Sequence, residues 1–363
     1  MLHNRPFVIV TGTDPESRRG GIGFAMPGYL SAMACVGMRY ISIPTYHPSA
    51  KGGAWWWWLR SFWSLCWHLV TIKRAGARVV VYSHAGAGIS LLREGVVLAF
   101  CRLFGAKTIM QLHALEIDGY LGHAVKRFLF RVAIAPASAV AVLTPWWRER
   151  LTESGIIKSL FVIPNPMPES WEAKACSCLA GHKAGRDGLA VLTLARIEPG
   201  KGVDLVIESM PFLPESTRLV IAGDGSQLQM LKMRAQTIGV NRRVEFVGWV
   251  AGDEKQRLID EADIFCLPSS YDSFGMGFLE AMANGLPVVA LDWGPIADVV
   301  PNGRCGVLIR EKNAGELADA LRLLMDSDIR QKMCVESRRW VLENFSAQAV
   351  GVKIRSMMEE VSP

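Results

Sequence analysis

The chain has 363 residues, half of them hydrophobic, which is too many for one ordinary domain and suits two. Its eight cysteines form no Cys-x-x-Cys pair and no cluster with histidine, so we expect reduced cytosolic thiols rather than a disulfide framework or a zinc site. The net charge of +6 divides into +10 over residues 1–180 and −4 over the remainder, which favours contact between the N-terminal half and an anionic surface.

Short apolar runs alternate with segments of helix length along the first half of the chain. Runs of this kind are typical of buried parallel strands, and their alternation with helices predicts a doubly wound sheet. The first run is too short for the apolar core of a signal peptide, so we expect none. The predicted strands are Phe7–Val10, Val79–Tyr82, Thr108–Met110, Ala139–Leu143 and Leu160–Ile163.

The predicted helix Ala54–Arg74 holds six tryptophans, and four of them are consecutive. On an ideal helix its apolar side chains cover an arc of about 200°, wider than the ~100° that burial against a sheet needs. Trp57 falls on the opposite side, together with Arg60 and Ser61. Part of the arc is therefore expected to be core, and the rest needs another partner.

From Asn165 onward the pattern of strands and helices is interrupted by a stretch rich in Pro, Gly and charge, which we interpret as a linker. The predicted organisation is an N-terminal domain over residues 1–170, a linker over 171–188, a C-terminal domain over 189–345, and a last helix over 346–363 that packs back on the first domain. The strands predicted for the second domain are Leu189–Leu194, Arg218–Ile221, Val244–Val247, Ile264–Leu267, Val288–Ala290 and Val307–Ile309.

Charged and glycine-rich loops follow the strands of the second domain, where open α/β sheets bind their ligands. "ARIEPGKG" places Arg196 and Lys201 after one strand, and two cations before a helix suit a diphosphate. "AGDGSQ" places Gly223 after the next strand, where a glycine permits a tight turn and close approach of a ligand. Each loop taken alone is also compatible with an ordinary solvated turn.

The most informative stretch is "ADIFCLPSSYDSFGMGFLEAMANGLPVVA", residues 262–290. A buried strand leads into a polar loop with Asp272, and a helix with Glu280 follows. Both carboxylates are expected to point to one site, where carboxylates accept hydrogen bonds from vicinal hydroxyls.

This stretch resembles the signature of the family 4 glycosyltransferases, of group 1 type and GT-B fold, in which the second Glu of Glu-x7-Glu begins "EAMA-x-G-x-P-V-V-A". The similarity extends over essentially the whole chain, because "ARIEPGKG", "IAGDGSQ" and "VEFVGW" also match family segments. It implies a GT-B fold, with two Rossmann-like doubly wound domains that face each other across a cleft.

The resemblance implies roles for the matching residues. Arg196 and Lys201 would bind the donor diphosphate, and Glu280 would hold the ribose hydroxyls. Asp272 stands at the first Glu position, which contacts the transferred sugar; the shorter side chain implies a shifted loop, another sugar preference or lost activity. Supporting backbone groups would come from Phe274, Gly275, Met276 and Gly223.

The first domain matches the family in two further places. "RRGGIGF" corresponds to its Gly-Gly loop, so Gly20 and Gly21 would let the backbone approach phosphate and acceptor. "TIMQLHALE" corresponds to "T-x-H-G-x-E", with Ala114 in place of Gly, and His113 would hydrogen-bond the transferred sugar. His84, also near a strand end, is interpreted as structural.

We assign no Asp-x-Asp metal motif and expect a metal-independent transferase without a cofactor, in which Arg196 and Lys201 replace the cation. The nucleotide-diphosphate sugar is the only co-substrate expected. Two alternatives stay open. One is a non-catalytic glycosyltransferase-like partner subunit, supported by Asp272 and Ala114, and the other is a sugar-nucleotide epimerase, which lacks this loop signature.

The predicted reaction is the retaining transfer of a hexose, mannose in first place, to a lipid-linked glycan in surface polysaccharide biosynthesis. Tryptophan favours the headgroup level of a bilayer and basic residues favour anionic lipid, so a peripheral membrane contact is predicted. We expect a cytoplasmic enzyme on the inner face of the cytoplasmic membrane, with no nucleic-acid partner. The predicted contact residues are Trp55, Trp56, Trp57, Trp58, Lys73 and Arg74.

Overall fold

A computed structural model describes residues 6–17, 20–47, 54–177 and 188–363 of the chain. The chain divides into two compact units. The N-unit comprises Met1–Glu169 with Phe345–Pro363, and the C-unit comprises Ser170–Asn344.

Each unit is built on one parallel sheet of six strands. The strands of the N-unit are β1 (Phe7–Thr13), β2 (Tyr40–Tyr46), β3 (Val79–Ala85), β4 (Lys107–Leu112), β5 (Ala139–Val142) and β6 (Ser159–Val162). Those of the C-unit are β7 (Ala190–Leu194), β8 (Arg218–Ala222), β9 (Val244–Gly248), β10 (Ile264–Leu267), β11 (Val288–Leu291) and β12 (Gly306–Ile309).

Helices connect the strands and cover the sheets. They are α1 (Gly20–Cys35), α2 (Ala54–Arg74), α3 (Ile89–Leu103), α4 (Ile117–Leu121), α5 (Ala124–Ile134), α6 (Pro145–Glu153), α7 (Glu169–Cys176), α8 (Val203–Ser209), α9 (Leu228–Thr237), α10 (Gly252–Glu261), α11 (Met276–Ala283), α12 (Ile296–Val299), α13 (Ala314–Leu323), α14 (Ser327–Phe345) and α15 (Ala347–Val361). Among the described residues, no helix is both long and apolar enough to cross a membrane.

The strand order of the N-unit is β2-β1-β3-β4-β5-β6. Every strand predicted for this half is present. Strands β1, β3, β4 and β5 are apolar runs that are mostly buried in the sheet, and β6 is an apolar edge strand that is only partly buried. Strand β2 was not predicted. It is an edge strand that alternates polar and apolar residues and contains Pro44, so it lacks the continuous apolar run of the central strands.

Helix α15 packs against α1 in the core of the N-unit, where Val350 and Ile354 join Tyr29 and Met33 in one buried cluster. The two backbones approach closely at Gly351, where a Cβ would lie 2.2 Å from the carbonyl oxygen of Ala32. The C-terminal helix is therefore part of the N-unit's core.

The strand order of the C-unit is β12-β11-β10-β7-β8-β9, with every predicted strand present. The chain leaves β7 toward β8 on one side and later returns to β10 on the other. The loops after β7 and β10 therefore flank the point where the strand order reverses, which is where open α/β sheets bind ligands.

The stretch predicted as a linker contains a helix, which corrects that prediction. Helix α7 buries Trp171 and Ala175 in the C-unit, and these apolar anchors one turn apart stabilise a segment whose composition suggested irregular structure. The rest of the predicted linker, residues 178–187, lies outside the described residues.

The orientation expected for α2 is also corrected. Ser61 is buried and donates a hydrogen bond to the carbonyl oxygen of Pro44 (2.6 Å), and Trp57 packs against His47 with 5.0 Å between ring centroids. The side of the helix that carries Trp57 therefore faces the protein. Among the tryptophans of α2 whose side chains the structure describes, the most exposed are Trp56, Trp63 and Trp67.

The remaining tryptophans of the predicted contact divide into two cases. The Trp58 ring stacks on Phe62 at 5.5 Å and is half-buried. The side chain of Trp55 lies outside what the structure describes. Lys73 donates to the carbonyl oxygen of Phe104, and Arg74 is exposed.

Candidate active site

The predicted donor residues of the C-unit come from loops at the carboxyl ends of neighbouring strands. Arg196 and Lys201 lie between β7 and α8, and Asp272 lies between β10 and α11. Backbone bonds join these loops, because the N–H of Ser270 donates to the carbonyl oxygen of Gly200 (2.8 Å). The structure therefore brings together residues that are 71 positions apart in the chain, Lys201 and Asp272.

Lys201 connects the two loops through its side chain. Its ammonium donates to Asp272 Oδ1 and to the carbonyl oxygen of Tyr271, both at 2.9 Å, and its side chain is only 10% exposed. Asp272 Oδ2 is buried without a hydrogen-bond partner in the described part of the chain. An ammonium carries three N–H donors, so one remains available for a ligand, as does one carboxylate oxygen.

Arg196 is exposed at the start of the same loop. Across the described ranges its guanidinium makes no side-chain hydrogen bond or ion pair. Its neighbour Glu198 is held by Ser226, whose N–H and hydroxyl donate to the carboxylate at 3.1 and 2.5 Å. These bonds lower the pKa of Glu198, and the nearby charge of Arg196 lowers it further. The guanidinium is thus placed beside the β7 end with its donors unused.

Glycines let the loops meet closely. Gly223 has φ +152°, and a Cβ there would lie 1.8 Å from the carbonyl oxygen of Ala195. Gly202 has φ +73°, and a Cβ there would lie 2.3 Å from the carbonyl oxygen of Pro268. Side chains at these two positions would push the β7 loop away from the ends of β8 and β10.

Glu280 is buried on α11 and is already engaged by two side chains that the sequence did not identify. Its Oε1 lies 2.5 Å from Lys255 Nζ, and its carboxylate accepts a hydrogen bond from Trp171. Burial raises the pKa of Glu280, while Lys255 and Trp171 act against that rise. Trp171 sits in the stretch predicted as linker, and Lys255 lies shortly after the matched "VEFVGW" segment, where the sequence predicted no role.

The loop before α11 supplies backbone rather than side chains. Phe274 is buried, and Met276 is half-buried as the first residue of the helix. Gly275 caps the helix with φ +86°, where a Cβ would overlap the Phe278 ring. The first amides of a helix lack intrahelical acceptors, so they are available to a ligand's oxygens.

In the N-unit, His113 follows β4 and forms a pair with His84 of β3. His84 Nδ1 and His113 Nε2 are 2.9 Å apart, and the ring of Tyr29 packs edge-on against both imidazoles. Burial lowers the pKa of His113 to about 3, and burial followed by proximity to His113 lowers the pKa of His84 well below its usual range. Both rings are therefore neutral and share one proton between these nitrogens.

The histidine pair predicts a loss of stability in mild acid. Its contribution is fully present above the unfolded pKa of about 6.5 and is lost as the pH falls toward the folded value of about 3, because the unfolded state takes up protons first. At about pH 5, proton uptake by the unfolded state lowers the free energy of unfolding by about 2 kcal/mol for each histidine that stays neutral in the folded protein. Urea unfolding of the protein across pH 5 to 7.5 measures this slope.

The matched variant is His84→Asn with His113→Asn. It removes both titrating groups, so its free energy of unfolding should change much less over the same pH interval. Equal pH slopes in the two proteins would contradict a neutral pair.

The glycines Gly20 and Gly21 open helix α1 directly after the β1 loop. Gly21 is exposed, and among the described residues a Cβ there would meet no atom within 4 Å. The space beside this helix start is therefore open, as a role in approaching a ligand requires.

One Asp-x-Asp spacing does occur, Asp326–Asp328, which corrects the expectation that the sequence holds none. Asp326 Oδ1 accepts the N–H groups of Asp328 and Ile329 at 2.9 and 3.1 Å, so this carboxylate caps the start of α14. Within the described ranges, no group of three or more His, Cys, Asp or Glu side chains could hold a metal ion.

The two doubly wound units, with cationic and glycine-rich loops at their strand ends, define a Rossmann-like enzyme with a site suited to a phosphorylated ligand. A family model described as "Glycosyl transferases group 1" matches residues 181–340. The GDP-mannose-dependent alpha-(1-6)-phosphatidylinositol monomannoside mannosyltransferase of Mycobacterium tuberculosis is 31% identical over 97% of this chain and 97% of its own. The chain therefore belongs to the group 1 glycosyltransferases.

Two further matches are also to glycosyltransferases or to proteins solved with a nucleotide and a sugar. An uncharacterized glycosyltransferase of Methanocaldococcus jannaschii is 32% identical, but that match spans 44% of this chain and 42% of the other. A crystal structure of Anabaena HepE in complex with UDP and glucose has a TM-score of 0.68 and 16% identity, covering 96% of this chain and 99% of that one. Together with the two six-stranded sheets, this likeness establishes the GT-B fold.

Proposed function

We propose that this glycosyltransferase moves a hexose, mannose in first place, from a nucleotide-diphosphate sugar to a lipid-linked saccharide at the inner face of the cytoplasmic membrane. The observation that carries the proposal is the β7 loop of the C-unit, where Arg196 has unused donors and Lys201 retains one. Two cations beside a helix start suit a diphosphate. The names of relatives support the sugar and the lipid, since one uses GDP-mannose and phosphatidylinositol monomannoside.

The cations act on the bond that breaks. The C1–O bond between sugar and diphosphate cleaves, its electron pair passes to the phosphate oxygen, and Arg196 and Lys201 stabilise the charge that develops there. The acceptor hydroxyl forms the new C1–O bond and its proton passes to the departing diphosphate. Attack from the face that the diphosphate leaves retains the anomeric configuration.

Other residues orient the donor. Asp272 Oδ2 is a buried acceptor that a sugar hydroxyl would satisfy, while Oδ1 stays with Lys201. Glu280 would share its carboxylate between the ribose hydroxyls and Lys255. In the N-unit, His113 Nε2 is occupied by His84, which leaves Nδ1 for a hydroxyl of the transferred sugar.

The donor assay is the test of this function. The purified full-length chain is expected to release GDP from GDP-mannose, with a rate that rises on the order of tenfold when a bacterial lipid extract supplies the acceptor. Other nucleotide sugars, such as UDP-glucose and UDP-galactose, should react more slowly. The measurement is nucleotide release, with the anomeric configuration of the product read by NMR.

Two controls complete the assay. Because Arg196 and Lys201 supply the positive charge, excess EDTA should leave the rate unchanged. Release of no nucleotide from any donor by a folded sample, with lipid extract present, contradicts the proposed function.

A further inference from the structure

Three neighbouring helices of the N-unit present large apolar side chains to solvent. On α2, Trp56, Trp63 and Trp67 are 69%, 75% and 71% exposed. Contiguous exposed apolar patches of this kind are rare on soluble proteins and mark interaction surfaces.

Helix α5 has the most regular pattern. Val125, Phe128, Leu129 and Val132 follow the i, i+3, i+4, i+7 spacing of a helix face, and all four are exposed. Such a stripe ordinarily faces the core of its own protein. Here a different set of residues on α5, including Phe130, is buried, so the exposed stripe is a second apolar face.

Helix α3 continues the same surface between the other two. Leu92, Val96 and Leu103 are exposed, while Leu91, Leu98 and Cys101 are buried. We name the outer faces of α2, α3 and α5 the apolar layer.

Direct contacts join the three helices side by side. The Phe62 ring of α2 lies 4.4 Å from the Phe100 ring of α3. Gly95 of α3 is so near α5 that a Cβ there would lie 2.6 Å from the carbonyl oxygen of Ala133. The strand order supports this arrangement. The successive connections from β2 to β3, from β3 to β4 and from β4 to β5 all run in the same direction across the sheet, so right-handed crossovers place their helices on one face.

The charges on these helices have one sign. Within the spans of α2, α3 and α5, Glu94 is the only acidic residue. It is fully buried, where Thr45 (2.5 Å) and Ser83 (2.7 Å) donate to its carboxylate and Arg93 pairs with it. The exposed charges are therefore all positive. They include Arg60, Arg74, Arg102 and Lys126.

We infer that the apolar layer docks the protein on an anionic lipid bilayer, with α3 and α5 entering the interface beside α2. Interfacial tryptophans, exposed aliphatic stripes and basic side chains without exposed acids are the chemistry that such a surface recognises. The inference rests on the proposed use of a lipid-linked acceptor and moves the contact from Trp57 and Trp58 to Trp63, Trp67 and the α5 stripe.

Vesicle sedimentation of the full chain tests the docking surface. Wild type is expected to bind vesicles of phosphatidylcholine mixed with phosphatidylglycerol, and to bind pure phosphatidylcholine more weakly. Phe128→Ser with Leu129→Ser should weaken binding to the mixed vesicles on the order of tenfold or more. Both positions are exposed, so circular dichroism and the unfolding midpoint should stay unchanged.

The matched control is Met230→Ser with Met233→Ser. These residues are also exposed apolar side chains one turn apart, on α9 of the C-unit. The control should bind vesicles as wild type does. If the α5 variant binds equally well, the inference is overturned.

Other outcomes separate this inference from the proposed function. The α5 variant should retain nucleotide release with a detergent-dispersed acceptor, which shows that docking and chemistry fail independently. If the α5 variant instead changes only the oligomeric state seen in gel filtration, the apolar layer joins two copies of the chain and the bilayer inference is overturned. Equal binding to neutral and anionic vesicles also contradicts it.

Discussion

Replacement of Lys201 by alanine is expected to lower kcat/KM by about 10²- to 10³-fold. The ammonium lies in the β7 loop, holds Asp272 Oδ1 and the Tyr271 carbonyl oxygen, and retains one donor for the diphosphate. Because the charge on that diphosphate grows as the C1–O bond breaks, the loss should fall mainly on kcat. Steady-state nucleotide release by wild type and Lys201→Ala measures the effect.

The same substitution has a structural effect that a second variant separates. Lys201→Ala leaves Asp272 half-buried without its cation and is expected to lower the free energy of unfolding by about 3 kcal/mol. Arg196→Ala removes an exposed side chain without ion pairs in the described residues, so it should reduce activity with little change in stability. Activity of Lys201→Ala close to that of wild type would contradict the assigned role.

The central strands could be predicted because each is a short apolar run that is buried on both sides. Edge strand β2 could not, since its alternating residues and Pro44 resemble a loop. Helix α7 was missed for a related reason. Its stability comes from Trp171 and Ala175 packing on the C-unit, and such tertiary contacts are absent from the local pattern.

The site was predicted as a set of positions rather than as a set of contacts. Arg196, Lys201, Asp272 and Glu280 all lie at the expected strand ends and helix of the C-unit. Their partners come from distant segments, as with Lys255 on Glu280, and depend on strand order that local sequence does not encode.

The orientation of α2 shows that helical periodicity alone cannot predict which side of a broadly apolar helix is buried. Periodicity fixes the angles between side chains but not which side meets the sheet, and an arc of tryptophans this wide allows two orientations. The buried hydrogen bond of Ser61 to Pro44 decides between them.

Gly202→Ala is expected to damage both the fold and the activity of the C-unit. The residue caps α8 with φ +73°, and its new Cβ would lie 2.3 Å from the Pro268 carbonyl oxygen at the end of β10. Left-handed strain alone costs an alanine about 1 kcal/mol. The overlap must also move the loop that carries Lys201, so we expect a total loss of about 3 kcal/mol in the free energy of unfolding. Activity should fall about 10²-fold.

Gly239→Ala separates the effect of the Cβ overlap with the Pro268 carbonyl oxygen from the effect of left-handed backbone strain. Gly239 has nearly the same backbone conformation, φ +78°, at the end of α9, and among the described residues nothing lies within 4 Å of a Cβ there. It should therefore show only the strain cost of about 1 kcal/mol, with unchanged nucleotide release. Urea unfolding and the donor assay compare the two variants. Similar losses in both would mean that backbone strain, and not the approach of the β7 loop to Pro268, explains the need for glycine. A larger loss in Gly202→Ala alone makes that close approach the feature that keeps Lys201 beside Asp272.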